Sequence, residues 1–495
     1  MKQLKLAVLL SYLNIGITIV VGIMLTPYVI RMLGDEEYGL YSLIGAFVGY
    51  LSVLDLGLNN AIIRYTAFYR ANKDKKGEEN FLAISFIIYI VIGILIAILG
   101  GVLYWNVENL FGDTLTLIQL GKAKLMLLIL ILNIAFTLPG AAITGICTGY
   151  EAFIFPRVIS ILKYMVRAVL VVVILYYGAD ALGIVILDSV MNFLFIAASL
   201  YYVLVKLKVS IKLHQFEWNY LKEIFSYSIW IFIFGLVYQF QWRTGQVILG
   251  TTTTTVTVAV FAVGVMLGIY FTTFGNVINR LLLPNAVKHI QENASSEFLT
   301  QQMIRVGRPS LMILLFLLGG FILIGNEFIL LWVGRTYNDA WLIALLIMIV
   351  YIMPISQGYA HAILEAKKLL RFKTLSFLIS TIIGLILGGI LSYNYGALGM
   401  IWGLFVPLFL LQWIVMNIFY KIKIEMNVKL FFNHSVFIFA AFFFSLVLCF
   451  FVFKLFGGGW ISLLVKGLIY AVVYMVIIWF VSNKEEKQLV LNKLK

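Results

Sequence analysis

Apolar windows of about 20 residues dominate this sequence, and short polar links separate one window from the next. Hydrophobic residues make up 63% of the 495 positions, whereas charged residues make up only 12%. Soluble domains are roughly half apolar and about a quarter charged, so an aqueous fold could not bury this much apolar surface. A helix needs about 20 apolar residues to cross the hydrocarbon core of a bilayer. The sequence therefore predicts an all-α polytopic membrane protein.

Counting these windows predicts 14 transmembrane helices. The N-terminal window is long enough to span and lacks a small-residue cleavage site, so we interpret it as the first helix rather than a signal peptide. The predicted spans are 8–31, 40–62, 81–104, 125–146, 158–178, 183–205, 224–249, 256–283, 309–332, 340–363, 374–394, 399–420, 432–454 and 461–482.

The net charge of +14 is concentrated in alternate links. The basic links are 64–80, 206–223, 365–373 and the C-terminal segment, whereas the links 34–39, 105–121, 178–183 and 251–255 carry no Lys or Arg. By the positive-inside rule, the basic links and both termini are expected to face the cytoplasm. No long basic tail and no base-stacking module accompanies this charge, so nucleic acid is not an expected partner.

Six landmarks recur in the two halves of the chain at nearly one spacing. Gly34/Gly250, Asn60/Asn276, Arg64/Arg280 and Gly183/Gly399 lie 216 residues apart, Pro139/Pro354 lie 215 apart, and Glu151/Glu365 lie 214 apart. Each copy holds an even number of spans, so both copies enter the membrane from the same side. We predict two parallel six-helix lobes, 1–205 and 224–423, joined by a cytoplasmic basic linker, 206–223, and followed by helices 13 and 14 with a cytoplasmic tail, 424–495.

The repeated Asn-x-x-x-Arg pairs lie where two corresponding spans end on the predicted cytoplasmic side. Positive-inside anchoring is sufficient to explain Arg64 and Arg280. Because residues four apart share a helix face, Asn60 and Arg64 could also clamp a neighbouring loop or an anionic head group. Both interpretations stay open.

Other polar residues lie deeper in the predicted spans and have no counterpart in the second lobe. An ionisable side chain at a helix centre costs at least about 2.5–3.5 kcal/mol, so such residues are functional candidates, with buried Asp–Arg pairing as the alternative. Several cations in one cavity would favour an anionic substrate. With the two repeated Asn-x-x-x-Arg pairs included, the predicted cavity cations are Arg167, Arg243, Lys163, Arg64 and Arg280, and the polar or ion-coupling candidates are Asp55, Asn60, Asp188, Asn192, Gln239 and Asn276.

No enzyme motif is present. The chain lacks G-x-x-x-x-G-K-[ST], G-x-S-x-G and H-E-x-x-H, and its two cysteines and four scattered histidines have no metal-ligand spacing. The links predicted to face outward are short, which argues against a polymerase or glycosyltransferase domain. We therefore predict a protein that is not an enzyme and has no cofactor or metal.

Two stretches, RMLGDEEYGLYSLIGAFVGYLSVLDLGLNNAIIRY (31–65) and GICTGYEAFIFPRVISILKYMVRAVL (145–170), resemble the Wzx-type polysaccharide and O-antigen flippases. That family belongs to the MATE-like superfamily, together with the lipid II flippases. The resemblance implies a two-lobed carrier with a cationic cavity, to which Arg167, Arg243 and Lys163 correspond. It also implies transport of a polyprenyl-pyrophosphate-linked oligosaccharide from the cytoplasmic to the outer leaflet.

From this resemblance we expect a multi-pass protein of the bacterial inner (cytoplasmic) membrane, coupled to a proton or sodium gradient. The expected partners are a lipid-linked oligosaccharide, membrane lipids, and a polysaccharide polymerase with its chain-length machinery. The alternative is a MATE-like ion-coupled exporter of small molecules. Such exporters commonly carry cations and would favour carboxylates in the cavity, whereas the deep charges of this chain are mostly positive.

Overall fold

A computed structural model describes residues 2–52, 58–215, 219–279 and 282–488. Helix accounts for 89% of the structure and no strand occurs among these residues, which confirms the all-α prediction. Eleven helices in the described ranges are long and apolar enough to cross a membrane. The chain is therefore a multi-pass membrane protein, and the number of 14 spans stays a prediction.

The α-helices are numbered here in chain order. They are α1 (Lys2–Leu33), α2 (Asp35–Ser52), α3 (Leu58–Ala71), α4 (Lys75–Phe111), α5 (Leu117–Gly149), α6 (Ile154–Tyr176), α7 (Ala181–Tyr201), α8 (Asn219–Thr252), α9 (Thr255–Asn279), α10 (Leu282–Gln291), α11 (Ser296–Trp332), α12 (Asp339–Ser356), α13 (Gly358–Ala366), α14 (Leu370–Leu410), α15 (Met416–Lys423), α16 (Val428–Phe453) and α17 (Trp460–Val481). Short π-helical segments, Tyr202–Lys206 and Leu411–Val415, continue α7 and α14, and a 3₁₀ turn covers Arg335–Tyr337.

The chain reverses direction within α14. Gly396 has φ 54° and ψ −132°, which breaks the helix, and the segments on its two sides pack against each other. A Cβ at Gly403 would lie 2.1 Å from the Gly388 nitrogen, and one at Gly399 would lie 2.3 Å from the Leu391 carbonyl oxygen. Small residues allow such close backbone approach between membrane helices. The segment thus holds two predicted spans, 374–394 and most of 399–420, as a hairpin.

The turns between helices repeat along the chain in their backbone geometry. Lys73, Glu151 and Lys208 have positive φ, and so do Asn293, Lys368 and Glu425. The pairs Lys73/Asn293, Glu151/Lys368 and Lys208/Glu425 lie 220, 217 and 217 residues apart. Gly178 and Gly396, which also have positive φ, lie 218 residues apart. Left-handed residues of this kind end helices by bonding the last free carbonyl groups. The recurrence of these turns supports the internal repeat.

The same turns correct one of the sequence landmarks. In the first copy, the Glu151 amide donates to the Thr148 carbonyl, and the following amide donates to the Cys147 carbonyl. In the second copy, the Lys368 amide donates to the Glu365 carbonyl, and the following amide donates to the Leu364 carbonyl. Glu151 therefore corresponds to Lys368 rather than to Glu365. The sequence match was wrong by three residues, because it aligned the similar letters YEA and LEA rather than the position where the helix ends.

Residues Met1–Ala259 form one compact unit, and this unit includes α8. Within it, α1 and α6 run parallel, since Arg157 Nε donates to Ser11 Oγ at 3.1 Å and the Tyr28 hydroxyl donates to the Val172 carbonyl at 3.1 Å. The predicted lobe boundaries at 205 and 224 stay a prediction. The parallel packing places Arg157 and Ser160 of α6 beside α1, where Ser160 contacts Asn14.

Residues Val260–Lys495 form the second compact unit. Its α9 packs on α12 through glycine, with Gly264 against Ile343 and Gly268 against Ile347. The helix α17 is tied to α11, because the Tyr474 hydroxyl donates to the Met312 carbonyl at 2.8 Å. The appended helices are therefore integral to this unit.

The glycine hairpin can be tested by adding one methyl group. Gly403→Ala should destabilise the protein by about 1–3 kcal/mol, because the new Cβ would overlap the backbone of Gly388. Gly101→Ala is the matched control, since this helical glycine of α4 has open space around it. Thermal unfolding of the detergent-solubilised variants measures the difference. Equal melting temperatures for Gly403→Ala and wild type would contradict the close approach.

Candidate functional site

Two predicted site residues form an ion pair between α6 and α7. Arg167 Nε lies 2.5 Å from Asp188 Oδ1, and Arg167 Nη2 donates to Asp188 Oδ2 at 2.8 Å. Nη2 also donates to the Tyr41 hydroxyl on α2, at 3.4 Å. The guanidinium of Arg167 is thus compensated within the protein, as the pairing alternative expected. Direct contact between Arg167 and a substrate stays a prediction.

Lys163 lies one turn before Arg167 and has a neutral partner. Its ammonium group donates to Asn192 Oδ1, and Asn192 Nδ2 donates in turn to Asn133 Oδ1 on α5 at 2.9 Å. An amide orients an ammonium group through its dipole but leaves the positive charge uncompensated. The sequence prediction included Lys163 and Asn192 but missed Asn133, whose role depends on the packing of α5 against α7.

Arg243 lies on α8, where it packs against α2. A Cβ at Gly49 would lie 2.8 Å from Arg243 Nε and 3.0 Å from its Cγ, so the glycine provides the space that this side chain fills. Beside it, the Tyr50 hydroxyl donates to Thr244 Oγ1 at 2.8 Å and the Tyr50 ring contacts Phe240. Within the described ranges, no carboxylate forms an ion pair with Arg243. Its positive charge is therefore not compensated by any carboxylate in the described ranges.

A polar cluster at the predicted outer ends of these helices fixes their positions. Lys122 on α5 bridges Glu37 on α2 and Asp180, the N-cap residue of α7, at 2.9 Å to each carboxylate. Burial alone would raise the pKa of Asp180, but hydrogen bonds from Lys122 and the Gly183 amide outweigh it and lower that pKa below the usual aspartate value. Because Tyr41 follows Glu37 by one turn, the cluster sets the register of the helices that carry the site.

The candidate site in the first unit is net positive. Lys163, Arg167 and Arg243 contribute three positive charges, and Asp188 compensates one of them. Such a group can bind an anion with two or more negative charges by charge-assisted hydrogen bonds. Among the residues that the structure describes, no group of three or more His, Cys, Asp or Glu side chains could hold a metal ion.

Three of the remaining predicted residues lie on helices other than α6, α7 and α8. Arg64 and Asn60 are exposed on α3, with the Arg64 guanidinium 5.7 Å from the centre of the Tyr65 ring. Asn276 is exposed on α9, where its Oδ1 accepts from Asn279 Nδ2 at 3.3 Å. These surroundings fit the anchoring interpretation, and head-group binding by these residues stays a prediction.

Three further candidates have different outcomes. Asp55 and Arg280 lie outside the described residues. Gln239 is exposed on α8, whereas its neighbour Gln241 is fully buried and has no hydrogen-bond partner among the described residues. The glutamine that faces the protein interior is therefore not the one selected from the sequence.

Sequence reasoning also missed a charged pair in the second unit. Lys466 on α17 is 8% exposed, and its ammonium group lies 2.7 Å from Glu327 Oε2 on α11. Glu327 Oε1 accepts the Gly459 amide at 3.1 Å, so the pair also holds the turn before α17. Both residues stand alone inside predicted spans, and this isolation was the available signal.

Comparison with known proteins identifies the family. Residues 7–285, more than half of the chain, match the profile of a family described as Polysaccharide biosynthesis protein. The chain belongs to this family. No curated protein matches this chain.

Three solved structures are similar to this chain in fold. The lipid II flippase MurJ, in an inward closed conformation, has a TM-score of 0.67 at 16% identity, covering 95% of this chain and 97% of the other. An inward-facing multidrug resistance MATE family transporter of the MOP superfamily has a TM-score of 0.60 at 16% identity, covering 84% and 95%. A MOP superfamily transporter from Pyrococcus furiosus has a TM-score of 0.60 at 15% identity, covering 86% and 96%. The fold is therefore MurJ/MATE-like, which confirms the predicted fold class.

The Arg167–Asp188 pair can be tested by exchanging the charges. Asp188→Asn should lower the free energy of unfolding by about 1–3 kcal/mol, less than for a fully buried pair, because solvent screens two side chains that are about a quarter exposed. The double variant Arg167→Asp/Asp188→Arg should recover most of that loss in thermal unfolding. If the double variant is no more stable than Asp188→Asn, the pair is not the stabilising interaction.

Proposed function

We propose that this protein is a flippase that moves a polyprenyl-pyrophosphate-linked oligosaccharide from the cytoplasmic to the outer leaflet by alternating access. The observation that carries the proposal is the net-positive group of Lys163, Arg167 and Arg243 in a member of a polysaccharide biosynthesis family. A pyrophosphate diester carries two negative charges and matches the two cations that Asp188 does not compensate. The MurJ/MATE-like fold supports a transport role rather than an enzymatic one.

The proposed mechanism assigns each chemical part of the substrate to a different environment. The pyrophosphate binds Lys163 and Arg243, while Asp188 holds Arg167 in position beside them. The polyprenyl chain stays in the bilayer, where its apolar surface is not exposed to water, and the sugars cross through a water-filled path. Removing the phosphate charge from water is the unfavourable step, and the fixed cations offset it.

The proposed setting is the bacterial inner membrane with both termini in the cytoplasm. The glycan is proposed to serve cell-surface export as O-antigen, capsule, exopolysaccharide or a teichoic-acid-like polymer, with a polymerase and chain-length machinery acting afterwards. A proton or sodium gradient is proposed to drive the cycle.

The alternative is a MATE-like exporter of small molecules, for which the likeness to a multidrug resistance transporter is the supporting observation. A cationic substrate would need a carboxylate that is available to it. In the candidate site, the carboxylate of Asp188 already accepts two hydrogen bonds from Arg167. The charge balance therefore favours the anionic substrate.

The uncompensated cations provide the direct test. Lys163→Gln and Arg243→Gln should each weaken substrate binding by roughly 10- to 100-fold, because each removes one charge-assisted interaction. Flipping of a fluorescent polyprenyl-pyrophosphate oligosaccharide in proteoliposomes measures this loss, and Lys75→Gln/Lys76→Gln at the exposed start of α4 is the control. Wild-type flipping by the Lys163→Gln/Arg243→Gln double variant would overturn the site, and efflux of a cationic dye that depends on Asp188 would favour the exporter.

Gly49 allows a test that leaves every charge in place. Gly49→Ala should move the Arg243 side chain, whose Nε would lie 2.8 Å from the new Cβ, and should lower the flipping rate several-fold with little change in melting temperature. Gly45→Ala on the same helix is the matched control, because nothing lies within 4 Å of its added Cβ. A Gly49→Ala variant that flips substrate like Gly45→Ala would show that the position of Arg243 does not matter.

A further inference from the structure

The segment that follows α17 folds back onto the first turns of α11. Arg308 of α11 is 4% exposed, and its Nε and Nη2 donate to the two carboxylate oxygens of Glu486 at 2.8 and 3.2 Å. Its Nη1 donates to the carbonyl oxygen of His434 on α16. One arginine thus joins α11, α16 and the segment after α17. Removing either Arg308 or the Glu486 carboxylate would leave a largely buried charge without its ionic partner.

Two adjoining clefts open on either side of this arginine. The first, of about 540 Å³, is polar and is lined by Gln301, Gln302, Arg305 and Lys484 together with Arg308. The second, of about 530 Å³, shares Arg308, His434 and Asn483 with the first, but its other walls include Phe437, Phe480 and Val481. Phe437 is 69% exposed and Phe480 is 79% exposed, as expected of side chains that face lipid. A cleft lined mainly by polar and charged side chains thus adjoins one with aromatic and aliphatic walls at Phe437, Phe480 and Val481.

The polar cleft retains cations that can bind a ligand. Glu486 is bound to the buried Arg308, whereas Arg305 meets Glu485 at 3.4 Å with both side chains about two-thirds exposed or more. An exposed pair of this kind contributes little and exchanges readily with another anion. Lys484 forms no ion pair among the described residues, and Lys487 lies 5.5 Å from the centre of the Trp479 ring. Tryptophan beside lysine is typical of the head-group region of a bilayer.

We propose that these two clefts together bind an anionic phospholipid of the cytoplasmic leaflet. Its phosphate occupies the polar cleft between Arg305 and Lys484, and an acyl chain lies along Phe437 and Phe480. Basic pockets between transmembrane helices on the cytoplasmic side are suited to anionic head groups, and the order of polar and apolar walls matches the order of head group and chain in such a lipid. Arg308 and Glu486 position the site by holding Lys484 over α11. The site lies entirely in the second unit and is independent of the substrate group in the first.

Thermal unfolding in detergent with added lipid tests this site on the full-length protein. Phosphatidylglycerol should raise the melting temperature of wild type more than phosphatidylcholine does, because a ligand that binds only the folded state stabilises it. Arg305→Gln/Lys484→Gln should lose at least half of that selective rise. Lys421→Gln/Lys423→Gln, which removes two exposed lysines at the end of α15, should keep it. Glu486→Gln should reduce it as well, since the segment carrying Lys484 would be released.

Three outcomes would overturn the proposal. The first is equal stabilisation by phosphatidylglycerol and phosphatidylcholine, and the second is an undiminished response in Arg305→Gln/Lys484→Gln. The third is a rise of the same size with inorganic phosphate alone, which would indicate a site for free anions. Flipping of the polyprenyl-linked substrate by Arg305→Gln/Lys484→Gln should persist in neutral vesicles, so failure of this site and failure of the flippase function are distinguishable.

Discussion

An ionised side chain within a bilayer needs a partner, and this requirement determines how the helices of the protein are joined. Arg167 meets Asp188 between α6 and α7, and Lys466 meets Glu327 between α17 and α11. Each partner lies on a different helix, so the interaction that compensates the charge also fixes the position of the helix. Lys163 differs, because two asparagines orient it without neutralising it. The protein can therefore hold selected cations ready for a ligand while it compensates the others.

The fold class was predictable because a bilayer allows little choice. Backbone groups in hydrocarbon must bond internally, so long apolar windows can only become helices, and the windows are visible in the sequence. The deep polar residues could also be found from the sequence, because they stand out within apolar windows. Their partners were not, since Asp188 and Arg167 meet only after α6 and α7 pack, and Asn133 reaches Asn192 from a third helix, α5. Glu365 shows the opposite failure, in which similar letters suggested a match that the end of the helix does not support.

A shared fold does not fix a specific function. MurJ and a multidrug resistance transporter are both like this chain in fold at 16% identity, although one is a lipid II flippase and the other a multidrug transporter. Glycine contacts such as Gly388 with Gly403 and Gly264 with Ile343 build the helix packing and contain no chemistry of their own. The proposed binding of an anionic substrate depends instead on a few side chains of α6, α7 and α8.

The left-handed turns show which property of a position the two halves have in common. At corresponding turns, Glu151 is matched by Lys368 and Lys208 by Glu425, so the sign of the charge is reversed while φ stays between 53° and 59°. The backbone shape is common to both copies, and the side chain is not. After a duplication, such positions let one copy alter its electrostatic character without altering its path through the membrane. A cationic group confined to one half is an asymmetry that a symmetric scaffold of this kind can accommodate.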